Sequence, residues 1–263
     1  MTSDEEVDRG PSLTAGIRLA VGLLTAIPVE TGRVDRATAG TAMMFAPAVG
    51  LGLGFLAGLV SWLTVDLWPG TLLPALLAVT VLAILTRALH LDGLADTADG
   101  FGSGKPAPEA LAVMKASDIG PFGVIALVLV LLAQVSAFAA VLDGGAELTG
   151  LMVPAMTGRL ALTWACRTGV PAARADGLGA LVAGTVAWPW PVLVTLAGLL
   201  APVGVALVGA VGVVAAVLAV VTGLAAAEVL LRLCLRRFGG ITGDMLGALV
   251  EIATLVALLV LAV

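Results

Sequence analysis

Asp92, Asp96 and Asp99 stand at positions i, i+4 and i+7 in the run RALHLDGLADTADGFG, which begins at Arg87. On a helix the three carboxylates fall within about 60° of one another. Like charges so placed repel unless a cation neutralises them. Hard oxygen ligands at this density suit Mg²⁺, which is commonly held by a few carboxylates plus substrate phosphates. Composition alone also allows a solvated acidic loop. Gly93 and Gly100 permit close approach of a ligand or of a second helix. His90, the only histidine, is a candidate general base. On a continuous helix it lies about 160° from Asp92, on the opposite face, where packing or support of the site suits it better.

A second polar group lies in RLCLRRFGGITGDMLGALVE, starting at Arg232. Gly239 and Gly240 make a turn, Thr242 is placed to cap a helix, and Asp244 and Glu251 are seven apart on one helical face. That acidic pair reads as a ligand set, a substrate anchor or a buried pair. Arg236 and Arg237 read either as phosphate ligands or as topology anchors. In RTGVPAARADGLGALVAG, from Arg167, Arg174 and Asp176 share a turn. They either grip a polar substrate or satisfy each other. Arg159 sits inside an apolar stretch, where its cost in lipid requires a partner or an aqueous cavity.

The elements that carry these residues are apolar. The chain has 263 residues, 60% hydrophobic and 12% charged, with mean hydropathy +1.13. Soluble domains are about one quarter charged, so most soluble enzymes, disordered chains and disulfide scaffolds are excluded. Cys166 and Cys234 read as small buried hydrophobes. Net charge −5 gives no basis for nucleic-acid binding. The acidic start MTSDEEVDRG lacks the basic region of a signal peptide. The expected architecture is an all-α integral membrane protein, a bundle of about seven to eight transmembrane helices forming one polytopic domain over 1–263. The apolar spans run over 13–28, 39–65, 69–88, 119–142, 148–167, 182–204, 207–231 and 243–262, with a turn near Pro202. No β alternation is sustained, and the 33 glycines suit close helix packing in lipid. Trp188 and Trp190 mark a membrane interface.

Lys and Arg fall only in alternate connections. Arg33 and Arg36 lie in the first, and Arg87, Lys105 and Lys115 in or beside the third. Arg167 and Arg174 lie in the fifth, and Arg232, Arg236 and Arg237 in the seventh. This is the positive-inside pattern. It predicts cytoplasmic site loops at about 87–118, 168–181 and 232–243. The first segment is short and contains Arg18, so the orientation of the N-terminus stays open.

Four ordered blocks, HLDGLADTADGF from His90, GPFGVIAL from Gly120, PAARADGLGA from Pro171 and GGITGDMLGA from Gly239, resemble the cobalamin synthase (adenosylcobinamide-GDP ribazoletransferase) family over nearly the whole chain. Many members resemble MKDSRIG where this chain has MKASDIG, so the acid is missing at Ala116 and Asp118 stands two places later. The resemblance implies an enzyme of the cytoplasmic (inner) membrane, its active site facing the cytoplasm, that uses Mg²⁺. The implied substrates are adenosylcobinamide-GDP and α-ribazole or its 5′-phosphate. The implied products are adenosylcobalamin or its 5′-phosphate, and GMP. On that reading Asp92, Asp96 and Asp99 hold the metal, and one of them, or His90, accepts the hydroxyl proton. Lys105, Lys115, Arg236 and Arg237 are candidates for the phosphates. Arg174, Asp176 and Asp118 line the substrate site, and Asp244 joins the metal or orients ribazole. A homo-oligomer is left open.

Two alternatives weigh against this. A CDP-alcohol phosphotransferase also uses an Asp cluster with Mg²⁺, but its pattern resembles D-x2-D-G-x2-A-R followed by paired aspartates. Here Asp96 stands where that pattern wants Arg. A cation transporter would show internal repeats, and the two halves of this chain are not similar.

Overall fold

The computed structural model describes residues 12–32, 34–200 and 212–263. The acidic start, Arg33 and the turn expected near Pro202 lie outside the described residues. Eleven α-helices are found there. In order they are α1 (Leu13–Leu24), α2 (Arg36–Thr64), α3 (Leu72–Leu85), α4 (Leu89–Gly102), α5 (Ala107–Met114), α6 (Pro121–Asp143), α7 (Met152–Ala165), α8 (Gly177–Val182), α9 (Trp190–Gly198), α10 (Val213–Phe238) and α11 (Gly243–Leu261). Only two isolated β-bridges accompany them among the described residues.

Four helices are long and apolar enough to cross a membrane: α2, α6, α10 and α11. The pair α3 and α4 has the composition of a fifth crossing, but it is bent by 88° at its break. The bend turns α4 away from the path of α3, and α4, 14 residues long, is too short to cross alone. The expectation of seven to eight spans is therefore not what the described residues show. The expected span 148–167 is α7, 14 residues long. At 1.5 Å per residue it covers about 21 Å, short of a hydrocarbon core of about 30 Å. The expected spans 13–28 and 69–88 hold helices of 12 and 14 residues. The described part of 182–204 holds the nine-residue α9. An unbroken apolar run is expected of a helix buried among others as much as of one facing lipid, so hydropathy alone does not separate the two.

The long helices turn apolar side chains outward. On α6, Phe122, Ile125, Leu129 and Leu132 are all exposed, at a spacing that keeps them on one side of the helix. On α10, Val214, Leu218, Val221 and Val229 are exposed in the same way. Arg159, by contrast, is 1% exposed. Apolar outside and charged inside is the arrangement of an integral membrane protein.

The inner packing relies on small residues. Gly50, Gly54 and Gly58 form one stripe of α2. A Cβ at these positions would come within 2.4, 2.5 and 2.2 Å of the carbonyl oxygens of Ala155, Leu151 and Leu148. This close approach of α2 to α7 and the turn before it is the way helices associate without a hydrophobic driving force. Around α7 the core is built from Leu151, Val153, Met156, Leu160 and their neighbours on α2, α6, α10 and α11. Cys166 and Cys234 are free and buried, as expected.

The basic connections meet. Arg36 donates to the carbonyls of Ala180 and Ala183, joining the first connection to the fifth. Lys115 pairs with Asp176, joining the third to the fifth. Arg174 pairs with Asp244 across the fifth and seventh. Arg237 donates to the Lys105 carbonyl, joining the seventh to the third. The alternate loops read from the sequence thus form one end of the molecule.

Candidate active site

The site starts at the corner between α3 and α4. Arg87 and Ala88 both have left-handed backbone conformations, φ 55° and 54°. Left-handed conformations are unfavourable for side chains with a Cβ. The corner redirects the chain so that α4 runs over the end of α11. There Gly93 and Gly247 let the helices touch. A Cβ on Gly93 would lie 2.5 Å from the Asp244 carbonyl oxygen, and one on Gly247 would lie 3.0 Å from that of His90. Asp92 is thereby brought beside Asp244. Much of the predicted loop 87–118 is helix, and α10 carries helical structure as far as Phe238.

Asp244 is presented by the first turn of α11. The Thr242 hydroxyl accepts from the Met245 N–H at 3.3 Å, the cap its position predicted. The same hydroxyl donates to the Asp244 carboxylate at 3.2 Å. Arg174 arrives on the stretch 171–174, which is bridged to Ile241: the Ala173 N–H donates to the Ile241 carbonyl at 2.9 Å, and the Ile241 N–H to the Pro171 carbonyl at 3.0 Å. The Arg174 guanidinium then meets the Asp244 carboxylate at 3.1 Å, and its Nη1 is buried with no partner.

Two adjoining cavities share Asp92, Arg174 and Asp244 as lining. The first, about 360 Å³, is polar and is completed by Asp96, Lys115, Ser117 and Asp118. The second, about 280 Å³, is lined mainly by apolar side chains of α1, α2, α4, α7, α8 and α11. In the polar cleft, partial burial and the like charges of Asp92, Asp244 and Asp99 push Asp96 up to about 7. Lys115, at 3.2 Å from Asp176, holds that carboxyl below its ordinary range.

Of the residues singled out in the sequence, Asp92, Asp96, Lys115, Asp118, Arg174 and Asp244 converge on the polar cleft. Asp176 reaches it only through Lys115. Asp99 does not converge. Its two oxygens accept from the N–H groups of Gly120 at 2.7 Å and Gly123 at 2.9 Å, and it is 6% exposed. It shares a face with Asp92, but seven residues along a helix is about 10 Å, which carries it past the cleft to the start of α6. Lys105, Arg236 and Arg237 line neither cavity. Arg237 instead lies 5.4 Å over the Phe238 ring.

His90 faces away from Asp92, as the helical spacing predicted. It is 3% exposed, with Nδ1 3.4 Å from Nη2 of Arg159. A guanidinium only donates, so Nδ1 accepts and the ring proton sits on Nε2, which has no partner. Glu251, read with Asp244 as a ligand set, a substrate anchor or a buried pair, is buried and accepts from the Gln134 amide at 2.7 Å. Among the described residues no group of three or more His, Cys, Asp or Glu side chains forms a ready-made metal cage. The apolar cavity's Met43, Leu162 and Leu246 carried no signal in a sequence where such residues are everywhere.

Long lipid-facing helices and an acidic cleft with one unpaired guanidinium nitrogen, at the end where the basic connections meet, define an integral membrane protein with a site for a polar, anionic substrate. The cobalamin-5-phosphate synthase family profile matches residues 16–262, and the chain belongs to that family. Similar proteins include the adenosylcobinamide-GDP ribazoletransferase of Frankia casuarinae, 46% identical over 93% of this chain and 93% of the relative. That of a Nocardioides species is 47% identical over 92% and 96%. That of Corynebacterium efficiens is 34% identical over 95% and 91%. No solved structure matches significantly.

Proposed function

We propose that this chain joins adenosylcobinamide-GDP to α-ribazole, or to its 5′-phosphate, and releases GMP. The observation that carries the reading is the convergence of Asp92, Asp96, Lys115, Arg174 and Asp244 on one polar cleft, in a chain whose relatives bear that enzyme's name. In the reaction the ribazole 3′-hydroxyl oxygen bonds to the phosphorus attached to cobinamide. The bond from that phosphorus to the GMP oxygen breaks, and GMP leaves with the electron pair. Phosphoryl transfer asks a protein chiefly for positioning and for neutralisation of spreading charge.

The guanidinium of Arg174, with Nη1 unpaired, and the ammonium of Lys115 hold the phosphates. A carboxylate bordering both cavities, Asp92 or Asp244, takes the hydroxyl proton. The donor set fits Mg²⁺ without a protein cage: two carboxylates one turn apart on a polar cleft are what this ion uses when substrate phosphate completes its shell. Asp92 and Asp96 would hold it, with Asp244 beside them, and it would neutralise the phosphates and the departing GMP. Asp99 serves the fold. His90 is a positioning residue for α4.

The concentration of Lys and Arg at this end supports a reading in which the site faces the cytoplasm. Purified protein in detergent with Mg²⁺, adenosylcobinamide-GDP and α-ribazole should release GMP. Absence of GMP under these conditions would remove the reading. A protease-protection or cysteine-labelling experiment on residues 115–118 in oriented vesicles checks the side.

A further inference from the structure

The two cavities differ in chemistry while sharing a wall. Beyond Asp92, Arg174 and Asp244, the first is lined by Asp96, Lys115, Ser117 and Asp118. The second presents Leu24, Met43, Leu89, Leu162, Leu178 and Leu246, with His90 as its one further polar side chain. A diphosphate placed among those six side chains would lose its hydration with one neutral imidazole to set against it. A planar, uncharged aromatic ring placed there would lose only apolar contact with water, which favours binding. Methionine at one wall adapts to the outline of a ring system. At about 280 Å³ the cavity is at the small end for small-molecule sites, suited to one bicyclic base and too small for a corrin macrocycle.

We propose that the apolar cavity seats the aromatic base of the ribazole substrate, while the polar cleft takes the diphosphate of the other substrate. The inference rests on the reaction proposed above and divides its two substrates between the two cavities. The shared residues Asp92, Arg174 and Asp244 then lie where the sugar hydroxyl meets the phosphorus. A base anchored by its flat faces fixes where its ribose emerges, and this is the orientation that an intramolecular-like attack requires. Discrimination among bases follows from the size of the cavity, because a hydrophobic pocket rejects a larger guest by steric cost.

The test is steady-state GMP release with each substrate varied in turn, on wild type, L178W and L89W. Leu178 is half-buried and Leu89 is 41% exposed, so the second position accepts a bulky side chain at the rim if the first disturbs folding. The expected result is a rise in KM for α-ribazole of about tenfold or more, with KM for adenosylcobinamide-GDP unchanged within about twofold. L162A, which enlarges the cavity, should shift preference toward a ribazole analogue with a bulkier base. A rise confined to adenosylcobinamide-GDP, an equal rise for both, or no rise in either variant overturns the assignment. Failure of the reaction reading looks different: wild type itself then releases no GMP.

Discussion

Helices α4 and α11 each carry titratable side chains to two places, and the two places behave oppositely. At the cleft, Asp92 and Asp244 border cavities of about 360 and 280 Å³ and stand beside an arginine with a free nitrogen. Deeper in the bundle, Glu251 of α11 is enclosed with Gln134 and Arg159 around a space of about 20 Å³, and His90 of α4, 3% exposed, stands between Arg159 and the apolar cavity. Two residues along α4 turn a side chain to the other face, and seven residues along α11 carry it about 10 Å inward. The difference teaches that charge in a membrane bundle has two uses. One set is left incompletely satisfied for a substrate to complete, and the other is enclosed so that the helices presenting the first set keep their register.

Substitutions should separate the two regions. D92N and D96N remove charge from the cleft, where little packing depends on it. GMP release is expected to fall by about 10³-fold or more with the thermal midpoint unchanged, since a metal held as proposed would supply several kcal/mol of charge stabilisation. Near-normal turnover in either variant would erase the distinction. R159M acts on the enclosed set. It leaves Glu251 without its nearby cation, and breaking such a buried arrangement costs about 3–5 kcal/mol. The expected reading is a low yield of folded protein and a depressed melting midpoint, with KM values of the surviving fraction close to wild type. R174M lies between them. Loss of the phosphate-facing guanidinium should lower kcat/KM by about 10²-fold, while its effect on melting stays small because the Asp244 pair is partly exposed. The smallest effect is expected at the corner. A88G relieves a left-handed alanine, φ 54°, and should raise stability by about 0.5–1 kcal/mol, part of the relief being offset by the looser unfolded chain. A lower melting midpoint for A88G would mean that the corner is not strained.

Much of the site was legible because scarcity made charge informative. The one-turn spacing of Asp92 and Asp96, the opposed placement of His90, the Thr242 cap and the meeting of the basic connections all follow from helical geometry and from where Lys and Arg fall. Depth along a helix was not legible. Asp244 and Glu251 share a face, as read, yet one is at the mouth and one enclosed. Asp99 shares a face with Asp92, yet it belongs to the start of α6. Which of several equivalent oxygens a neighbouring helix end will claim is decided by tertiary packing, which leaves no local pattern. The finer span count was not legible for a related reason. In a soluble protein a helix at the surface shows polar residues on its outer side, but here both surroundings are apolar, so α7 and the lipid-facing α6 read alike. Lys105, Arg236 and Arg237 looked equivalent to Lys115 because a positive charge at a membrane edge serves orientation whether or not it reaches a cavity.

The two hydrogen bonds that Asp99 accepts from Gly120 and Gly123 have a consequence in the language of polymers. They tie together the ends of a segment 21 residues long, turning a dangling connection into a closed ring. Closing a ring of that size costs about 3 kcal/mol of chain entropy before any constant is added. That cost is incurred once, as the chain folds. Lys115, Ser117 and Asp118 ride on the ring, so each arriving substrate finds a wall already standing and has no free arm to gather in. D99N or D99A should therefore weaken substrate capture through a floppier rim even though Asp99 touches no substrate, and the loss should grow if the ring is lengthened by inserted glycines.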